Sequence, residues 1–134
     1  MKKITVLGSL NADTILHIPH LPQQGETLAM DDASTAPGGK GANQAVAAKR
    51  LGADVNFIGA VGDDQNGQLL LDALQADCIY TAHVAELSGV ATGAAYIMLE
   101  ADSNNTILIL GGANRQVNES NVAAADATIK ASDV

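Results

Sequence analysis

At 134 residues, 47% apolar and 16% charged, the chain suits one folded domain with its own core; aromatic residues supply only 2%, so Val, Ile, Leu and Ala must fill it, which favours α/β layers over disorder. A formal charge of −8, with no basic cluster beyond Lys2-Lys3 and Lys49-Arg50, argues against nucleic acid and anionic lipid as partners. The single Cys78 excludes an intrachain disulfide, fits a reducing cytoplasm, and is expected as a small buried apolar residue. Residues 4–7 are a short β-branched run closed by Gly8, expected as a strand buried on both faces. Although Lys2-Lys3 precedes it, the run is too short for a leader peptide, and no stretch has the length of a membrane-spanning helix. Asn11 and Asp13 fall just past its carboxyl end. Residues 14–18 and 26–30 are expected as extended segments of a hairpin leaving the main sheet, separated by Pro19, Pro22 and Gly25. Residues 31–37 read as a polar loop, and 42–51 as a helix ended by Gly52.

Residues 55–61 predict the next buried strand and 67–76 the next amphipathic helix. Two runs, 94–99 and 106–110, flank the turn-rich Asp102-Ser103-Asn104-Asn105 and predict a second hairpin that joins the first in a lid and ends at 111–114. Asn118 is the expected N-cap of a helix through about residue 131, with Glu119 near the positive end of its dipole, and 132–134 begin a further strand. The order predicts a doubly wound, mostly parallel α/β sheet with helices on both faces and a small β-sheet lid. Because the final strand opens an unfinished β-α-β unit, the chain is expected to be truncated near the middle of a longer fold.

The most informative stretch is Gly38-Gly39-Lys40-Gly41-Ala42-Asn43, which runs straight into the helix. Its three glycines carry no β-carbon at a helix N-terminus, so a small oxygen-rich ligand can approach bare N–H groups. The Asn43 amide both donates and accepts, while Lys40 only donates, a combination that suits a vicinal diol and hence a sugar. Two nucleotide-loop readings fail: Ser34 stands where a Walker A loop needs its first glycine, and Gly8-Ser9-Leu10 lacks the second glycine of a Rossmann turn. Asn11 and Asp13 alternate by one residue, so on an extended segment both face one ligand. Taken alone, that pair reads more readily as turn formers after a strand. His17 and His20 are separated by Pro19 with no third ligand near, so no metal site is expected, and all three histidines are expected at the surface or in the lid.

The glycine motif, with Ala45, Gly52 and Gly62 at set distances, resembles the sugar-site signature of the ribokinase-like carbohydrate kinases. Gly8-Ser9-Leu10-Asn11-Ala12-Asp13 and Gly59-Ala60-Val61-Gly62-Asp63 with Gly67 agree with it, and the resemblance covers all 134 residues but only the front portion of such a kinase. It implies an ATP-dependent, Mg²⁺-requiring transfer to the primary hydroxyl of a pentose, with D-ribose as the expected substrate, a possible role for a monovalent cation such as K⁺, and a homodimer clasped through the lid. It assigns the sugar grip to Asn11, Ala12, Asp13, Gly38, Gly39, Lys40, Gly41, Ala42 and Asn43, with Ala95 and Ile97 covering the sugar from the second lid hairpin, where simple lid packing explains them nearly as well. Val61-Gly62-Asp63 looks locally like the family's anion hole and base but lies too early in the chain, so Asp63 is expected to cap or brace structure. The catalytic and nucleotide-binding residues are therefore expected outside this chain, which alone would not turn over. A non-catalytic sugar-binding or dimerisation module, and a kinase for another sugar or a nucleoside, are the competing readings.

Overall fold

Alternation along the first strand decides the layering. Ile4 and Val6 leave β1 (Lys3–Leu7) on one face, and Thr5 and Leu7 on the other. The computed structural model describes residues 1–134, which continue with β2 (Asn11–Ile18), β3 (Asp32–Gly38), α1 (Lys40–Arg50), β4 (Asp54–Gly62), α2 (Gln65–Ala76), β5 (Tyr80–Leu87), β6 (Ala94–Glu100), β7 (Asn105–Leu110), a 3-10 turn at Gly112–Gln116, α3 (Glu119–Ala124) and α4 (Asp126–Lys130). β1, β4 and β5 form a parallel sheet in the order β1-β4-β5, with Ile4 opposite Val55 and Val6 opposite Phe57. On that face Val55, Phe57 and Val61 meet Ala42 and Ala45 of α1 and Leu70, Leu71 and Leu74 of α2 in one apolar core, aliphatic except for Phe57. Burying each large side chain contributes roughly 1.5–3 kcal/mol. The opposite face carries Thr5, Leu7 and Ile58 against Ile129 of α4, and His83 on β5 is held by Thr128 Oγ1 at 2.8 Å. Helices thus cover both faces.

The second sheet is the lid, in the order β3-β2-β6-β7. β2 pairs antiparallel with β3 and parallel with β6, and β6 pairs antiparallel with β7. The second hairpin forms as the sequence suggests, and Asp102 closes its turn by accepting from the Asn104 backbone and side-chain amides at 3.0 and 2.8 Å. The first hairpin differs. Residues 26–30 are not a strand, and the partner of β2 is the stretch expected as a polar loop. Nearly every residue of β3 is exposed, so it joins the sheet through its backbone and carries no apolar period.

Other expectations are corrected. α2 is capped by Asp64, not Asp63: the Asp64 carboxylate accepts from Gly67 N at 2.8 Å, Thr92 N at 2.9 Å and Thr92 Oγ1 at 2.5 Å. Burial alone would raise this carboxyl, but those three bonds together hold it below the ordinary Asp value. His83 lies in the parallel sheet, not in the lid, and the β5 strand that carries it was not foreseen. Cys78 is exposed and takes the left-handed position (φ 56°) after the C-cap of α2. Its N–H reaches Gln75 O at 2.9 Å and that of Ile79 reaches Leu74 O at 3.0 Å, the paired bonds of a Schellman ending. Gly52 (φ 97°) closes α1 with the same pair of bonds, to Lys49 O and Ala48 O. Asn118 caps its helix as expected, but that helix breaks into α3 and α4 at the fully buried Ala125. Residues 132–134 are not a regular strand, although Val134 and Asp133 exchange backbone bonds with Lys3 and Thr5 on the free edge of β1.

Candidate functional site

The site lies where the carboxyl end of β1, the start of the lid and the tip of α1 meet. Two close backbone approaches require glycine there, and a third glycine lies under a side chain. Gly41 packs directly on Gly8, and a β-carbon on Gly41 would sit 2.7 Å from the Gly8 Cα. Gly39 adopts φ 100°, and a β-carbon on it would lie 2.6 Å from Ser9 O. At Gly38 the space that a β-carbon would need is filled by the Asp13 carboxylate. α1 begins without a side-chain cap and with no acidic residue in its first turn. Ala42 N bonds Ser9 O at 3.2 Å and Asn43 N bonds Gly39 O at 2.9 Å, whereas the Lys40 and Gly41 amides make no bond within the chain. The helix tip therefore offers free donors and an uncompensated positive end.

β2 delivers the acid. Strand register aligns Asp13 with Ala36 of β3 and Ala95 of β6, and Ile15 with Ile97, so Asn11, Asp13, Gly38, Ala95 and Ile97 share one face of the lid. The small neighbours leave the carboxylate room to lean over Gly38 towards the helix tip. Asp13 accepts no hydrogen bond and forms no ion pair in the chain, and burial pushes its carboxyl above the ordinary Asp value. A partly desolvated acceptor without a protein partner is poised for a ligand that donates.

Not every residue of the expected grip contributes a side chain. Ala12 is fully buried on the opposite face of β2, and Ala42 is sunk in the core, so both act as spacers there. Lys40 is exposed at the first helical position and makes no ion pair. Asn43 lines an open groove of about 410 Å³ between α1 and α2, together with Gly38, Arg50 and Asp77. That groove omits Asn11, Asp13, Ala95 and Ile97 and is lined mainly by Leu10, Val46, Leu70, Ala73 and Leu74. The unpaired Asp13 carboxylate therefore stands at the lid end, outside the mainly apolar groove.

One residue at the site escaped the sequence reading. Asn114, on the 3-10 turn, accepts from Leu10 N at 2.9 Å and donates to Leu10 O at 3.0 Å and to Asn11 Oδ1 at 2.8 Å. Only the Gly-Gly pair at 111–112 announces a turn there, and nothing in the sequence ties it to a residue 103 positions away.

All 134 residues match the family described as pfkB family carbohydrate kinase. The chain belongs to that family. It is 43% identical over 132 residues to a ribokinase of Haemophilus influenzae, covering 98% of this chain and 43% of that protein. A ribokinase of Bacillus subtilis is 41% identical over 117 residues, covering 87% of this chain and 40% of the relative. The solved structure of Arabidopsis thaliana ribokinase complexed with ribose and ATP superimposes with a TM-score of 0.79 at 38% identity, over 84% of this chain and 37% of that one. The chain thus spans about two fifths of the length of the pfkB relatives that it matches.

Proposed function

We propose that this chain is the sugar-gripping part of an ATP-dependent ribokinase, which converts D-ribose and ATP to D-ribose 5-phosphate and ADP. The observation that carries the reading is the unpaired, partly buried Asp13 carboxylate leaning over Gly38 beside the uncapped tip of α1. Asp13 accepts from sugar hydroxyls; Asn11, Lys40 and Asn43 and the free amides of residues 40 and 41 complete the grip; Ala95 and Ile97 cover the sugar from the lid. Such a grip orients the reacting hydroxyl and excludes water from it. When bound, the Mg²⁺–nucleotide supplies the phosphoryl group. In this reading the nucleotide, Mg²⁺ and any K⁺ are held by residues outside this chain.

The same reading sets the protein in the reducing cytoplasm and pairs two copies through the lid, whose edge strand β7 leaves Ile107, Leu108, Ile109 and Leu110 exposed. No helix is long and apolar enough to cross a membrane. Calorimetric titration of this chain with ribose, fructose and adenosine, beside an ATP-consumption assay, tests the assignment. Saturable binding strongest for ribose, without turnover, is expected. Tighter binding of fructose or adenosine transfers the reading to another substrate, and sustained ATP consumption by this chain alone overturns the division of labour.

A further inference from the structure

We infer that Asn114 is a positioning residue which dictates the end of the Asn11 amide that the ligand meets, so that the site offers one fixed donor, Asn11 Nδ2, beside one fixed acceptor, Asp13. The inference rests on the sugar-binding reading above and adds a direction to it. The main chain leaves Asn114 no choice of orientation. A backbone N–H can only donate and a carbonyl can only accept, so Leu10 N at 2.9 Å fixes Oδ1 and Leu10 O at 3.0 Å fixes Nδ2. The remaining hydrogen on Nδ2 then points at the Asn11 side chain, 2.8 Å away. Were Asn11 reversed, two NH₂ groups would oppose each other, so Asn11 turns its Oδ1 inward.

Its Nδ2 is left without a partner in the chain. No buried side-chain nitrogen or oxygen lacks a hydrogen bond, so that NH₂ reaches solvent, and strand alternation puts Asn11 on the lid face that bears Asp13. Gly93 makes the pairing possible: a β-carbon there would overlap Asn114 Nδ2 and lie 2.5 Å from Asn11 Oδ1. Two adjacent hydroxyls fit such a site in one direction, one donating to Asp13 and its neighbour accepting from Asn11.

Solvent exchange of the side-chain amides in ¹⁵N-labelled protein tests the orientation without any sugar. The Asn114 NH₂ is expected to exchange at least tenfold more slowly than that of Asn11; the reverse order overturns the inference, and this comparison needs no variant. Asn114→Asp keeps the acceptor for Leu10 N but replaces the NH₂ by a carboxylate, so the Asn11 amide should reverse, its NH₂ become protected, and D-ribose affinity fall about tenfold. In an Asn11→Ala background the same substitution should leave ribose affinity unchanged, because no amide remains to be oriented. Equal losses in both backgrounds would mean that Asn114 is merely structural. Failure of wild-type protein to bind ribose while showing the expected exchange order sinks the sugar reading and leaves the orientation standing.

Discussion

At the residue scale, Asp13 joins two requirements that oppose each other. Its carboxyl titrates above the ordinary value because burial disfavours the charge and no donor compensates it. A raised pKa means that stability is fully present below the unfolded value near 3.8 and is lost as pH rises through the folded value. Asp13→Asn should therefore raise the thermal midpoint at pH 7, with the advantage shrinking as pH falls towards 3.8, while ribose affinity drops about 10- to 100-fold through loss of charge-assisted bonds. Melting curves at several pH values and one titration check both signs; a variant that is less stable at pH 7 and binds equally well contradicts the role. The Asn11–Asp13 pair was legible because a strand's period of two needs only neighbouring residues. Asn114 was not, since its partners are brought to it by the closing of the whole chain.

At the element scale, what could be read followed hydrophobic period and what could not followed pairing. β1, β4 and α2 have apolar faces that meet in the core, and their positions were evident. β3 is a lid edge held by backbone bonds with exposed side chains, so it looked like a loop. The segment 26–30, expected as extended, is not a strand; Glu26 instead folds its segment back, accepting from Gln23 N at 3.0 Å with His20 at 3.2 Å. The run Ala123-Ala124-Ala125 contains no helix breaker, yet α3 and α4 divide at the fully buried Ala125. The two Schellman endings show the same limit: Gly52 announces its turn, whereas Cys78 does the same work with a side chain that resists a positive φ. Cys78→Gly should relieve that resistance and stabilise the fold by about 0.5–1 kcal/mol, after the entropy cost of glycine in the unfolded chain. A urea midpoint that rises with unchanged slope is the expected result; a lower midpoint would show that the backbone is not strained there.

At the scale of the whole molecule, two sheets divide the work. The parallel sheet with its helices supplies the core, and the lid projects from it with the acid on one face and an exposed apolar edge strand. Ile109, at 74% exposure, is the most open large apolar side chain of that edge, so on the proposed lid-to-lid pairing wild type should run as a dimer in light scattering and Ile109→Lys as a monomer with the fold intact. A mass unchanged by the substitution would remove the clasp from the account. Lid and helix tip are proposed to converge on one carbohydrate, and the decisive experiment maps D-ribose by backbone amide shifts in ¹⁵N-labelled protein. Saturable shifts at residues 11–13, 38–43 and 93–97, abolished by Asp13→Asn, are expected. Saturable shifts confined to the α1–α2 groove around Val46, Leu70 and Ala73, or no shifts at any sugar concentration, would contradict it.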